Sequence, residues 1–547
     1  MTAVFAQEVT RSFVAPEVDW SLIMPFVLLA VGGVLLVTIS SLVPFARANW
    51  FPAVFTGAVS VAAMWSLRSV WSTLDGSDGP VFIMSEALAI DRFSVLATLL
   101  ICVAILFMAL ILPGYLQTQQ LEGTEWYVLL LMSAAGGVLL ASANDLIITF
   151  LGLEILSIAL YVLASLHLRR SDGQEGGFKY FVLGALSSAI LLYGIALTYG
   201  ATGTTSLRGV ALTASLTDPD AIYNINEDSS MILAAMAMLM VGFAFKVAAA
   251  PFHMWTPDVY QASPSPIVGF MASAVKVAGF AGMARVFWLG FAPFVSDWQP
   301  LLAGLSLLTL LIGSILAVSQ TDVKRMLAYS SITHAGFILL AMHTAGAGSL
   351  RVQVLGAEAF TFYLAAYSVM VLGTFAVVTA VGSDSADGGH SLDDYRGLAR
   401  RAPVLSAFMV ILLFAQAGVP FTSGFLAKFK VILAAASGEA YFLAGVAMVA
   451  AAISAFLYLR IVVSVFLSEP ALVSVSSESA DDIDGEVTTG DPDGQPPQPL
   501  AVPIATMFAV ALAAVVTLGL GIIPQVSDGA ITDVISGAAA SLTVLFG

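Results

Sequence analysis

The chain has 547 residues, of which 59% are hydrophobic and only 10% charged, and its mean hydropathy is +0.95. A soluble domain carries about 25% charged residues, so this composition excludes an ordinary soluble enzyme and implies a polytopic membrane protein. The net charge of −16 marks no basic partner by itself, because eight acids lie within residues 469–493, and the single cysteine, Cys102, excludes internal disulfides and cysteine-ligated zinc or iron–sulfur sites.

Residues 1–19 carry Arg11 together with Glu8 and Glu17, and no small-residue cleavage site follows the first apolar run. That run reads as a retained span and not as a signal peptide. A span needs about 20 apolar residues. Candidates fall at 21–45, 52–72, 92–113, 125–142, 145–168, 178–201, 231–253, 266–290, 299–319, 324–346, 354–381, 402–437, 440–467 and 502–523, roughly 14 helices, with a weaker apolar tail at 525–547.

Basic residues set the orientation. Loops after odd-numbered spans hold Arg47, Arg169, Arg170, Lys179, Lys324, Arg325, Arg396, Arg400 and Arg401. Loops after even-numbered spans hold only Arg92, Arg208 and Arg351, with Arg285 near the end of the eighth. The odd loops are therefore expected in the cytoplasm and both termini outside it. Residues 469–501 are acidic, rich in Pro, Gly and Ser, and read as a solvated cytoplasmic linker; the sharper alternative is a docking segment for a basic partner.

One span is too long. Residues 402–437 would form a helix of about 54 Å, against a hydrocarbon core of about 30 Å. "QAGVPFTSGF" (416–425) supplies Gly418, Pro420 and Gly424 for a break. The seventh span is interrupted at Pro251. Lys246 precedes the proline there, whereas Pro420 precedes Lys428. Such a reversal is what two segments of opposite direction would show, and paired broken helices point to inverted repeats with a site at the breaks.

The chain has only six lysines, and Lys246, Lys276, Lys428 and Lys430 fall within predicted spans. An ammonium at bilayer depth costs at least about 2.5–3.5 kcal/mol on insertion scales. Glu154 is the one acid well inside an apolar span. From helical rise, Lys246 lies about 10 Å and Lys276 about 15 Å from the inner ends of their spans, with Lys428 in the outer half. Burial destabilises an ammonium and a nearby carboxylate restabilises it. Moving Glu154 toward Lys246 would load the lysine with a proton, and separating the two would release it. His253 and His334 are candidate relay members, or packing histidines. Lys430 reads as structural, Arg68 and Arg460 as anchors at span ends, His167 and His343 as interfacial, and Asp145 and Asp258 as cap or loop residues.

At these residues the sequence resembles a known family. "FKVAAAPFHMWTPDVYQASPSP" (245–266), "KVAGF" from Lys276, "LGLEILSIALYVL" (151–163), "VKRMLAYSSITHAGF" (323–337) and "GVPFTSGFLAKF" (418–429) are similar to segments of the antiporter-like subunits of respiratory complex I, a superfamily that includes Mrp-type antiporters and membrane-bound hydrogenases. "GGFKYFVLGALSSAILLYGIALTYG" (176–200), with lysine at both 276 and 428, resembles the N-type subunits in particular. Ala427 and "QASPSP" depart from the family pattern without touching an ionisable position.

The resemblance implies an all-α membrane fold with two inverted five-helix repeats, each with a broken helix. It divides the chain into N-terminal helices (1–120), a first repeat (121–290), a second repeat (291–468), the acidic linker (469–501) and a C-terminal helix and tail (502–547). It implies that Glu154 and Lys246 form an input pair, Lys276 a central relay and Lys428 an outlet. His253 and His334 match positions near the water path. It further implies a proton-translocating subunit of a bacterial NADH–quinone oxidoreductase in the inner membrane, beside other antiporter-like subunits and with no nucleic-acid partner. The chain has no cysteine cluster and no phosphate-binding glycine loop in a βαβ setting. NADH, FMN, iron–sulfur clusters and quinone are accordingly expected in partner subunits and no cofactor in this chain. The alternatives are a sodium/proton antiporter or hydrogenase subunit, and a passive scaffold.

Overall fold

The structure is a computed structural model describing residues 18–47, 50–76, 79–167, 170–215, 229–346, 348–382, 389–467, 499–526 and 530–543. The expected acidic linker lies outside the described residues as far as 498, as does Arg169. Among the described residues, eleven helices are long and apolar enough to cross a membrane.

The helices, in chain order, are α1 (Trp20–Leu42), α2 (Trp50–Asp75), α3 (Arg92–Thr118), α4 (Glu125–Ala141), α5 (Leu146–Ser165), α6 (Ser171–Thr202), the short α7 (Leu207–Ser215), α8 (Ser229–Lys246), α9 (Trp255–Ala262) and α10 (Ser265–Gly290). They continue as α11 (Val295–Val318), α12 (Val323–Ala345), α13 (Leu350–Gly382), α14 (Pro403–Ala417), α15 (Ser423–Ser437), α16 (Tyr441–Leu467), α17 (Ile504–Val526) and α18 (Ala530–Thr543). Polar caps start several of them. Asp19, Asp145 and Asp322 accept backbone N–H groups at the heads of α1, α5 and α12, and Asp91 forms a reciprocal capping box with Ser94 on α3.

Burial sorts the helices. α10 and α13 are enclosed on all sides and α12 nearly so, whereas α1, α2, α6 and α16 turn apolar side chains outward. A surface of exposed Leu, Val and Phe is what hydrocarbon requires. The ionisable residues of interest therefore reach the centre on α8, α10, α12 and α15.

Polar loop residues sort to two ends. Lys179 of α6, Asp258 of α9, Asp322 and Arg325 at the head of α12, and His390 of the connection after α13 form one network. Asp75 with Arg92, Glu86 with Arg208 and Asp145 with Thr205 lie among the remaining connections.

Three readings of the sequence are refined. The helix expected over 231–253 stops at Lys246, because Ala248 adopts a left-handed conformation (φ 62°), and the chain resumes as helix only at Trp255. A β-hairpin, β1 (Val81–Ile83) antiparallel to β2 (Leu88–Ile90), fills the connection before α3. Arg285, expected near the end of the eighth span, lies there within α10 but faces the bundle interior. It is fully buried in an ion pair of 2.8 Å with Asp91, and it gives Nε to the Ala141 carbonyl at 2.5 Å. Its charge is spent inside the bundle and does not report orientation.

Candidate proton path through the bundle

A lysine stands beside each break. Between α8 and α9, Trp255 Nε1 donates to the Phe245 carbonyl at 3.1 Å, and the Ala250 amide donates to Thr309 Oγ1 at 2.9 Å. These side chains occupy backbone groups that the broken helix leaves open. Between α14 and α15, Gly418 (φ 91°) and Phe421 (φ 68°) take left-handed conformations that interrupt the helix, and Thr422 caps α15. Gly418 is needed twice. Its φ is left-handed, and a Cβ there would stand 3.1 Å from Lys428 Cδ.

Lys246 is the last residue of α8 and is buried. Its Nζ donates to Ser157 Oγ at 2.7 Å and lies 6.0 Å from the centroid of the Tyr180 ring. Glu154 lies on the margin of the bundle, half-buried, with Leu151, Ile155 and Ile158 of the same helix exposed. The Ser188 hydroxyl of α6 donates to Glu154 Oε1. Ser157, Ser188 and Lys246 line one small cavity together with Tyr161. Glu154 and Lys246 are thus brought to one place without forming an ion pair within 4.0 Å.

Lys276 is buried at a π-helical turn, Met271–Val275, within α10. Its Nζ donates to the Ser331 carbonyl at 2.6 Å. Ser331 Oγ accepts from Tyr367 at 2.8 Å. Gly279, one turn along α10, sits against Lys246, since a Cβ there would come within 3.4 Å of Lys246 Cγ. The first two lysines are therefore neighbours across the α8–α10 contact.

His334 follows Ser331 by three residues on α12 and occupies the centre of a tyrosine cage. Nδ1 pairs with the Tyr363 hydroxyl at 2.8 Å and Nε2 with the Tyr458 hydroxyl at 3.1 Å, while the ring lies 4.7 Å from that of Tyr367. Phe337, three residues further, stacks on Tyr363. Lys428 Nζ lies 5.5 Å from the Phe337 ring centroid. It donates to the carbonyls of Gln416 and Ala417, the C-terminal end of α14, at 2.8 and 2.9 Å. One stripe of α12 (Ser331, His334, Phe337) therefore runs between Lys276 and Lys428.

Of the residues singled out from the sequence, Glu154, Lys246, Lys276, His334 and Lys428 form this series. His253 does not join it. It lies in the break before α9, and its buried Nδ1 has no hydrogen-bond partner among the described residues. Lys430 points elsewhere, 3.7 Å from Glu358. The bridging groups Ser157, Ser188, Ser331, Tyr363, Tyr367 and Tyr458 had no individual signal in the sequence. Among the described residues no cluster of three His, Cys, Asp or Glu suited to a metal ion is present.

The family model of the transmembrane region of NADH:quinone oxidoreductase/Mrp antiporters matches residues 143–454. A protein of Parafrankia sp. (strain EAN1pec) named NADH-quinone oxidoreductase subunit N is 36% identical over 98% of this chain and 99% of its own length.

The chain belongs to this family.

Every member of the series lies inside the matched segment. Among solved structures, a chain of respiratory complex I from Thermus thermophilus is 32% identical, with a TM-score of 0.71 over 92% of this chain and 98% of that one. A chain of the Mrp complex from Dietzia sp. DQ12-45-1b has a TM-score of 0.77 at 22% identity, covering 95% and 99%, which is a likeness of fold.

Proposed function

We propose that this chain is a proton-translocating membrane subunit of a bacterial NADH–quinone oxidoreductase, and that Glu154, Lys246, Lys276, His334 and Lys428 carry the protons. The observation that carries the reading is the series itself. Three buried lysines and one histidine, on four helices, are linked by hydroxyls, carbonyls and tyrosine rings through the centre of the bundle. Intramembrane ionisable groups are costly and mark ion or proton pathways. Lysine, histidine and tyrosine can each gain and release a proton, and the breaks at 247–254 and 418–422 provide polar backbone beside two of the lysines.

The chain itself performs no redox chemistry in this reading; NADH, FMN, iron–sulfur clusters and quinone belong to partner subunits, with further antiporter-like subunits alongside. In this reading Glu154 responds to a neighbouring subunit's charge, which its half-buried position at the bundle margin supports. The fold is read as 14 membrane helices, counting each broken pair as one. Helices 4–8 and 9–13 form two inverted repeats, and both termini lie outside the cytoplasm of a bacterial inner membrane. The network of Lys179, Asp258, Arg325, Asp322 and His390 then forms the cytoplasmic end. His253, in the first break, is assigned to the water path and not to the series.

The test is NADH-driven proton uptake in inverted membrane vesicles containing the whole complex. Uptake that requires NADH and quinone, and persists without sodium, supports the reading. Sodium-dependent exchange without an electron donor would support the antiporter alternative.

A further inference from the structure

We propose that Lys324 is the proton-uptake residue of this chain, receiving protons from the cytoplasmic surface and passing them along α12 and α9 toward Lys276. This inference rests on the proton-translocating reading above.

By sequence Lys324 is an ordinary loop cation. The structure places it in the first turn of α12 with only 2% of its surface exposed. Its Nζ donates to two carbonyls at the end of α9, Gln261 at 2.7 Å and Ser263 at 2.6 Å. Lys428 makes the same pair of contacts to the end of α14. A buried ammonium held by the C-terminal carbonyls of a half-helix thus occurs twice, once within the series and once at its cytoplasmic end.

Solvent reaches the neighbourhood of Lys324. A polar concavity of about 260 Å³, open to the surface, is bordered by Arg170, Lys179, Asp258, Gln261 and His390. A smaller adjoining cavity shares Arg170 and is lined by Lys324 itself, with Tyr115, Ser263 and Ser265. Gln261 therefore connects mouth and lysine. Its side chain pairs with Arg325 and Asp322 at 3.0 Å in the surface network, while its carbonyl holds Lys324. Asp322 also pairs with His390 at 2.6 Å, which adds two titratable groups at the mouth.

The inward direction is set by helical geometry. Ser331 follows Lys324 by seven residues, which puts the two on one face of α12 about 10.5 Å apart. Ser331 is the residue whose carbonyl holds Lys276. The adjacent half-helix α9 packs against α12 over the same interval, with Tyr260, next to Gln261, buried between them. Water entering beside Tyr260 would complete the connection.

A structural reading would make Lys324 only a cap for α9. Arginine separates the two. Its guanidinium keeps the charge and can donate to two carbonyls, but it does not release a proton. Lys324→Arg, Lys324→Met and Lys276→Met are to be compared in inverted vesicles, measuring NADH-driven proton uptake, quinone reduction and the amount of assembled complex. The proposal expects Lys324→Arg to assemble at wild-type levels and to lose uptake at least about tenfold, as Lys324→Met does. Wild-type uptake in Lys324→Arg, or failure of that variant to assemble, would assign the lysine to the fold and overturn the proposal. Wild-type uptake in Lys276→Met would instead refute the proton-translocating reading itself.

Discussion

Glu154 and Lys246 meet through serines. The carboxylate accepts from Ser188, the ammonium donates to Ser157, and the two serines line one small cavity with no ion pair between the charged groups. In the proposed proton-translocating reading, such a pair switches between a closed and an open arrangement. Closing it would stabilise the charged lysine, and opening it would release the proton. Direct contact would fix the charge instead of switching it.

Ser157→Ala removes the hydroxyl that holds Lys246. A hydrogen bond to a charged group is worth about 1.5–3 kcal/mol, and each 1.4 kcal/mol corresponds to about tenfold in rate. We expect proton uptake to fall about tenfold or more while the complex still assembles. Ser157→Thr, which keeps a hydroxyl, should recover most of the loss. The check is fluorescence-quench proton uptake, normalised to assembled complex.

Gly418→Ala should impair the second break. The left-handed φ of 91° disfavours a Cβ by about 1–2 kcal/mol, and that Cβ would press on the Lys428 side chain. The expected result is a lower melting temperature and reduced uptake together. An alanine variant indistinguishable from wild type in both would show that the turn tolerates a side chain and that Lys428 is free to shift.

Arg285 and Asp91 form a fully buried ion pair that ties the end of α10 to the start of α3. Removing one partner of a buried pair typically costs about 3–5 kcal/mol, because the other is left uncompensated. Arg285→Met should therefore deplete assembled protein strongly. Arg285→Met combined with Asp91→Leu should recover much of it, as seen by native gel and thermal unfolding. Equal depletion in the single and double variants would contradict this account.

The cytoplasmic network has a defined pH dependence. Burial pushes the Asp322 carboxyl up, but the His390 hydrogen bond, the Arg325 amide and the charges of His390 and Lys324 outweigh it and hold the group below its ordinary value. A carboxyl lowered on folding contributes stability above its unfolded pKa, about 3.9, and loses it as pH falls through the folded value. Thermal unfolding curves of wild type and Asp322→Asn should differ between about pH 5 and 8 and draw together only as pH falls below the ordinary carboxylate value of about 3.9.

Much of the candidate site was legible because lysine inside an apolar span is conspicuous, and because glycine and proline mark breaks. The sequence thus located Glu154, Lys246, Lys276, Lys428 and His334, and it located the interruption near Gly418 to within a residue or two. It misplaced the end of α8 by several residues, since the turn is made by Ala248, an alanine with no sequence signal for a left-handed backbone. It placed Lys324 in a loop and left Arg285, near the end of its span, without a partner, because hydropathy cannot reveal one on a distant helix. Asp91 stands 194 residues from Arg285, and the carbonyls that hold Lys324 lie more than 60 residues away. Ser157, Ser188 and the tyrosine cage around His334 were hidden for the same reason. Each is an unremarkable residue in an apolar helix until folding sets it beside a titratable group.

The most direct test of the central claim is Lys246→Ala in inverted vesicles, with NADH-driven proton uptake and NADH–quinone turnover measured side by side on assembled complex. The account predicts that both collapse while assembly survives, because Lys246 is an obligate proton carrier in a coupled machine. Near wild-type uptake and turnover would contradict it and leave Lys246 as a structural lysine.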